Sequence, residues 1–380
     1  MTTGLTRALL AAAACAWAAA VALRAGGAAI AAAPVAPAPP ALLSDTGLYA
    51  DAATLTVDAR NRPFTPQYPL WSDGATKRRW VRLPDGAAID ARDSDHWTFP
   101  VGTRFWKEFA FNGRRVETRM FWKTADDHWA FASYAWDDQQ RDAALVPPAG
   151  RSRVAEVAPG KWHNIPSHEE CRACHDAGRT EVLGFSALQL SDDRDPLAPH
   201  AEPATPDMVT LGTLVRESRL APLPVDVAGT APRVEGRTPV ERAALGYLST
   251  NCGSCHNRQS SIASLGLFLK HSLAATGQCG PDALATTLDR PGHWLVPDAP
   301  EGTSRVVAPG EPARSALLRR ATSRRPSSQM PPIGTVVADR EAMALIAAWI
   351  DELAATPAPP CAASVETRQI IRPAASRTGR

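Results

Sequence analysis

Residues 96–111 read HWTFPVGTRFWKEFAF, residues 114–123 read RRVETRMFWK, and residues 128–136 read HWAFASYAW. All three runs are rich in aromatic and β-branched side chains, the composition of strands. In the middle run Val116, Thr118, Met120 and Trp122 fall on one face, as a period of two requires. RRWVRLP (78–84) adds a fourth run, and Pro84-Asp85-Gly86 and Asn112-Gly113 supply turn signals between them. An antiparallel β-sandwich or open barrel is therefore expected over residues 45–162. Seven of the eleven tryptophans lie between Trp71 and Trp136. Large side chains filling the core of a small sheet domain account for them; a sugar-stacking or docking surface is the alternative.

Working outward from this region, residues 1–33 have the make-up of a secretion signal. Arg7 precedes an apolar run from Ala8 to Leu23, and small residues offer A-x-A cleavage options between Ala25 and Ala33. Cys15 is preceded by Ala12, Ala13 and Ala14, which lacks the Leu or Val of a lipobox. A Pro/Ala linker follows at 34–44. The formal charge is +2, and Arg7 and Arg24 are the only charged side chains before residue 34. The rest is balanced, which gives no electrostatic case for a nucleic-acid partner. No later run approaches the length of a membrane span. The mature chain is thus expected to be periplasmic or secreted, without a stable transmembrane segment.

Downstream of residue 163 the pattern turns to helix and loop. Ser167-His168-Glu169-Glu170 fits a capping box that opens a short helix into Cys171. Thr238-Pro239-Val240-Glu241 fits the same pattern, with proline at the first helical position. Val240, Ala244, Tyr247 and Leu248 then form one stripe ending before Cys252. Asp339 can cap a final helix with Ile346, Trp349, Ile350 and Leu353 on one face. Residues 357–380 read as a flexible tail.

Two pentapeptides carry chemistry: Cys171-Arg172-Ala173-Cys174-His175 and Cys252-Gly253-Ser254-Cys255-His256. Both are C-x-x-C-H, the attachment signature of haem c. Two thiols one helical turn apart can add to the two vinyl groups on one porphyrin edge, and the adjacent histidine then supplies the proximal nitrogen. Zinc pairs usually sit much closer in sequence than 171 and 252. A thioredoxin-like pair would need a preceding strand and a long following helix. With nine histidines in the chain, chance placement after both pairs is a roughly one-in-two-thousand event. Two covalent haem c groups are the cofactors expected.

Met330-Pro331-Pro332-Ile333-Gly334 offers a sixth ligand to the iron on His256, on a loop stiffened by proline. For the iron on His175, Met208 is the first candidate; His200 and His163 are alternatives, His168 and Met120 lie within sequence reach, and an open position is a further option. Arg319, Arg320, Arg324 and Arg325 flank the Met330 loop. They either neutralise haem propionates, steer an acidic partner or form a solvated helix face. Cys279 and Cys361 are left for one disulfide or two free thiols.

Residues 238–354 resemble a class I c-type cytochrome domain, through the capped helix, Cys252-x-x-Cys255-His256, Pro309-Gly310, Met330-Pro331-Pro332 and a last helix with Trp349. That resemblance implies crossed first and last helices, with Gly246 and Tyr247 against Trp349. The chain from 45 to 354 is similar to a group of bacterial dihaem c-type cytochromes with a β-rich N-terminal domain. Tyr68-Pro-Leu-Trp-Ser-Asp-Gly-Ala75, Phe99-Pro-Val-Gly-Thr103, Glu117-Thr118-Arg119 and Val182-Leu183-Gly184 carry that likeness. The expected fold is α+β and multidomain: a sandwich-like β domain (45–162), then two mainly α-helical haem domains (163–236 and 237–356). The expected function is electron transfer between exported redox proteins. The alternative is a peroxidase-like dihaem enzyme with an open first haem.

Overall fold

Strand β4 (Thr76–Arg82), β5 (Arg104–Phe111), β6 (Arg114–Ala125) and β7 (His128–Trp136) occupy the four aromatic-rich runs. The computed structural model describes residues 38–177, 182–222, 227, 229–273, 282–297, 299–300 and 302–355. The secretion signal, the Cys279–Cys361 pairing and the tail therefore lie outside the described residues. With β3 (Arg62–Pro63) and β8 (Ala143–Leu145), the four strands form a six-stranded antiparallel meander in chain order. Asn112 and Gly113 both take positive φ, 50° and 76°, which closes the β5–β6 hairpin. Two hairpins flank the sheet, β1 (Tyr49–Asp51) with β2 (Thr56–Val57) and β9 (Arg151–Ala158) with β10 (Lys161–Ile165). β10 thus runs through the boundary expected at residue 162.

Both faces of the meander are covered. Trp80, Trp106, Met120 and Ala132 stand in one cross-strand row and pack with Leu43, Leu48 and Tyr134. On the other face, Val81, Phe105, Phe121 and Phe131 form a row, and Phe64, Phe99, Phe185 and Leu214 pack in the same core. The layer opposite this second face is chain from 182–227 and not a second sheet. The strands alternate large apolar residues on both sides, so each side needs a cover, and the downstream segment supplies it. Phe185, 1% exposed, gains about 1.5–3 kcal/mol from such burial.

Among the described residues these α-helices follow: α1 (His168–His175), α2 (Leu211–Arg216), α3 (Pro239–Asn251), α4 (Asp282–Thr287), α5 (Ala316–Thr322) and α6 (Arg340–Glu352). α3 and α6 pack on each other through Leu245, Leu248, Ile346, Trp349 and Ile350. Tyr247 and Trp349 share that core, as expected. At Gly246 the Tyr68 ring occupies the space a Cβ would need, so this glycine admits a residue from the β region. Among the described residues the segment 163–236 contributes the short α1 and α2, and its apolar residues divide between two cores, Phe185 and Leu211 in one and Leu188 and Val234 in the other. The chain is thus mixed α and β, with a mostly antiparallel β-rich region. Among the described residues no helix is long and apolar enough to cross a membrane.

Candidate functional site

α1 is built from its cap. Ser167 Oγ accepts from Glu170 N–H at 3.2 Å, and Glu170 accepts from Ser167 N–H at 2.9 Å, satisfying two otherwise orphaned donors. None of its residues is fully buried. The helix carries Cys171 and Cys174 one turn apart and ends on His175. The His175 ring rests against the sheet, 5.2 Å from the Phe121 centroid and 5.5 Å from that of Phe131.

The second pentapeptide grows from a deeper support. Thr238 caps α3, accepting from Glu241 N–H at 3.0 Å, and eight of its thirteen residues are buried. Cys252 is the C-cap, and one further turn follows, with Cys255 N–H and His256 N–H donating to Cys252 O at 3.1 and 2.9 Å. Gly253 has no room for a side chain, since a Cβ would strike Ser249 O and the Lys270 backbone.

The two pentapeptides, 77 or more residues apart in sequence, meet in space. Asn257 Nδ2 donates to Ala177 O at 3.2 Å, and the Cys255 sulfur lies 4.0 Å from Ala173 O. The Cys174 thiol hydrogen-bonds to Cys255, which holds Cys174 above the usual thiol range and Cys255 below it. Burial pushes Cys171 up, and burial with Cys255 beside it pushes Cys252 up to about 12. The neutral thiol is thus favoured at Cys171, Cys174 and Cys252, and the thiolate at Cys255. Both pentapeptides and Met330 line one cavity of 1280 Å³, above the roughly 300–1,000 Å³ of ordinary small-molecule pockets.

His256 is held neutral: burial, then the Arg320 guanidinium, depresses its pKa, and neutral imidazole is the form that ligates. Its Nδ1 is buried without a hydrogen-bond partner. The four thiols, the two imidazoles and the large cavity are the donor set and space that covalently attached haem requires.

The Met330 loop is clamped from both sides. Met330 N–H donates to Arg320 O at 3.0 Å, and Arg324 donates to Val337 O at 3.1 Å. Asp73 Oδ1 accepts from Val336 N–H at 2.7 Å and Val337 N–H at 3.1 Å, and Trp71 Nε1 donates to Val337 O at 3.0 Å. The Trp71-Ser72-Asp73 stretch therefore serves the Met330 loop from across the molecule. The four arginines divide: Arg320 and Arg324 line the cavity, whereas Arg319 and Arg325 are exposed.

The residues expected from the sequence as partners to His175 are placed less favourably than Met330. Met208 closes a turn, its N–H donating to Thr205 O, and it is not among the residues lining the cavity. His200 is not among them either; its Nε2 contacts Asp339 Oδ1 at 2.8 Å and its ring lies on Trp71. His168 begins α1, and Met120 packs in the core with Trp80 and Trp106. His163 does line the cavity, but Nδ1 lies 3.3 Å from Asp73 Oδ2 and Nε2 lies 3.1 Å from Glu117 Oε1. Burial disfavours the His163 cation, yet the bonds to Asp73 and Glu117 outweigh it and raise its pKa. Both ring nitrogens are thus engaged by carboxylates, which removes the lone pair a ligand needs.

The Asp73–His163–Glu117–Arg119 network was not anticipated as a unit. Glu117-Thr118-Arg119 and the stretch holding Asp73 stood out in the sequence, but nothing there joins them to His163. No family model, curated protein or solved structure matches the chain.

Proposed function

We propose that this chain is an exported dihaem c-type cytochrome that passes electrons between exported redox proteins. Cys171 and Cys174 would hold one haem with His175 as its proximal ligand. Cys252 and Cys255 would hold the other, with His256 and Met330 available to its iron. What carries the reading is the convergence of both C-x-x-C-H segments and Met330 on one cavity. Bound iron supplies a one-electron couple between Fe(II) and Fe(III), whose potential a thioether ligand raises. The chain's own part is positioning. Arg320, Arg324, Asp73 and Trp71 hold the Met330 loop, while α3 and α6 bury the base of the second pentapeptide. In this reading α3 to α6 is the class I cytochrome-like unit, and α1 with the aromatic face of the sheet would hold the first haem.

The test is expression with a cytochrome maturation system, followed by intact mass and pyridine-haem quantitation. Two covalent haems are expected, and one in a Cys171→Ser/Cys174→Ser double variant. A mature chain with no covalent mass gain and no Soret band overturns the proposal. A peroxidase-like enzyme is the second reading, favoured by the polar wall of His163, Arg119 and Lys107 along the same cavity. Cyanide binding and peroxide turnover at the first haem would select it; a low-spin, ligand-inert iron would select the carrier.

A further inference from the structure

The cavity-facing side of the meander holds a row that the haem reading does not use. Arg79 of β4, Lys107 of β5, Arg119 of β6 and Ser133 of β7 are paired in register across four neighbouring strands. All four line the cavity. Like charges set directly opposite each other in a sheet repel, so such a row persists only where anions face it. Two of the three cations have one within the protein: Arg79 meets Glu202 at 3.4 Å and Arg119 meets Glu117 at 2.5 Å. Glu117 is already shared with His163. Lys77, one row along, has Glu202, Asp339 and Asp73 around it. Lys107 has no hydrogen bond or ion pair among the described residues. Its ammonium stands 4.8 Å from the Phe109 ring centroid, deep among protein atoms yet open to the cavity.

We infer that Arg79, Lys107, Arg119 and the Ser133 hydroxyl form a subsite for one carboxylate or comparable small oxyanion. A partly desolvated ammonium with no anionic partner is costly, and an anion bound through charge-assisted hydrogen bonds removes that cost. Burial, reinforced by Arg79, Lys77 and Arg119, holds the Lys107 pKa well below the ordinary lysine range, which marks the position as short of negative charge. The carboxylate has two possible sources, a free anion entering the cavity or a side chain of a bound haem. The second source rests on the proposed function; the first does not.

Acetate titration separates them. The full mature chain is titrated with sodium acetate at constant ionic strength while its thermal midpoint is followed. A free-anion subsite gives a saturable rise in the wild type. Lys107→Met weakens acetate about tenfold, about 1.4 kcal/mol, and Lys107→Arg restores most of it. Should Lys107→Met fail to fold, Arg79→Gln serves in its place. A haem carboxylate instead gives no saturable acetate effect, but a carboxylate band in the redox-induced infrared difference spectrum that moves in Lys107→Met. A wild type showing neither response overturns the inference. The acetate arm is readable whether or not haem is attached, so its failure is distinct from failure of the haem reading.

Discussion

The same five-residue chemistry is mounted in two different ways. The second pentapeptide extends a thirteen-residue helix with eight buried residues, and α6 packs against that helix. The first ends an eight-residue helix with none buried, and leans on the aromatic rings of a sheet. Local helix formation supports the second site, whereas the first depends on a cap and on a wall made elsewhere in the chain. Short isolated helices are marginal in water, so α1 owes its shape to those outside contacts.

The sharpest way to break this contrast is Trp349→Ala. Trp349 is 1% exposed and donates to Glu241 at 3.2 Å. Its loss is expected to cost about 3–5 kcal/mol in urea unfolding. Hydrogen exchange should rise across 239–256 and stay unchanged across 168–175; equal loss at both segments would erase the distinction.

A smaller effect separates the two caps. Ser167→Ala should cost about 1 kcal/mol and show as faster exchange throughout α1. Thr238→Ala should perturb α3 less, because Glu241 remains tied to Arg237 at 2.5 Å and to Trp349. Greater fraying of α3 than of α1 would contradict the comparison.

The smallest expected effect is pH-dependent and belongs to the sheet wall. His163 has a raised folded pKa, so its contribution is fully present below the unfolded value, roughly 6.5, and is lost as pH rises through the folded one. Glu117 is the mirror case: burial raises its pKa, but Arg119 and then His163 outweigh that and lower it, so its contribution is lost in acid. Unfolding free energy of the wild type should therefore fall on the alkaline side of this window. His163→Gln should flatten that limb; an unchanged slope would remove His163 from the network.

Much of the local structure was legible. The four aromatic runs became β4 to β7, Asn112-Gly113 became a hairpin turn, and Ser167, Thr238 and Asp339 became helix caps, because each of these depends on neighbours within a few residues. Less legible was the covering layer of the sheet. Alternation in β6 identified one face with Met120 and Trp122, but Phe121 on the other is equally large, and the pattern does not say what covers it. Gly246 was placed against Trp349 from the family resemblance, and nothing in the sequence pointed to Tyr68, 178 residues earlier, whose ring fills the space beside it.

By itself the amino-acid order determined the cysteine pairs with their histidines, the strand periodicities and the capped helix starts, since spacing along a regular backbone decides which atoms share a turn or a face. Only the tertiary structure decided that both pentapeptides open on one cavity, that His163 is taken up by carboxylates, and that three cations line the wall. Those arrangements join residues tens to hundreds of positions apart, and they follow from which faces must be buried together rather than from any local repeat.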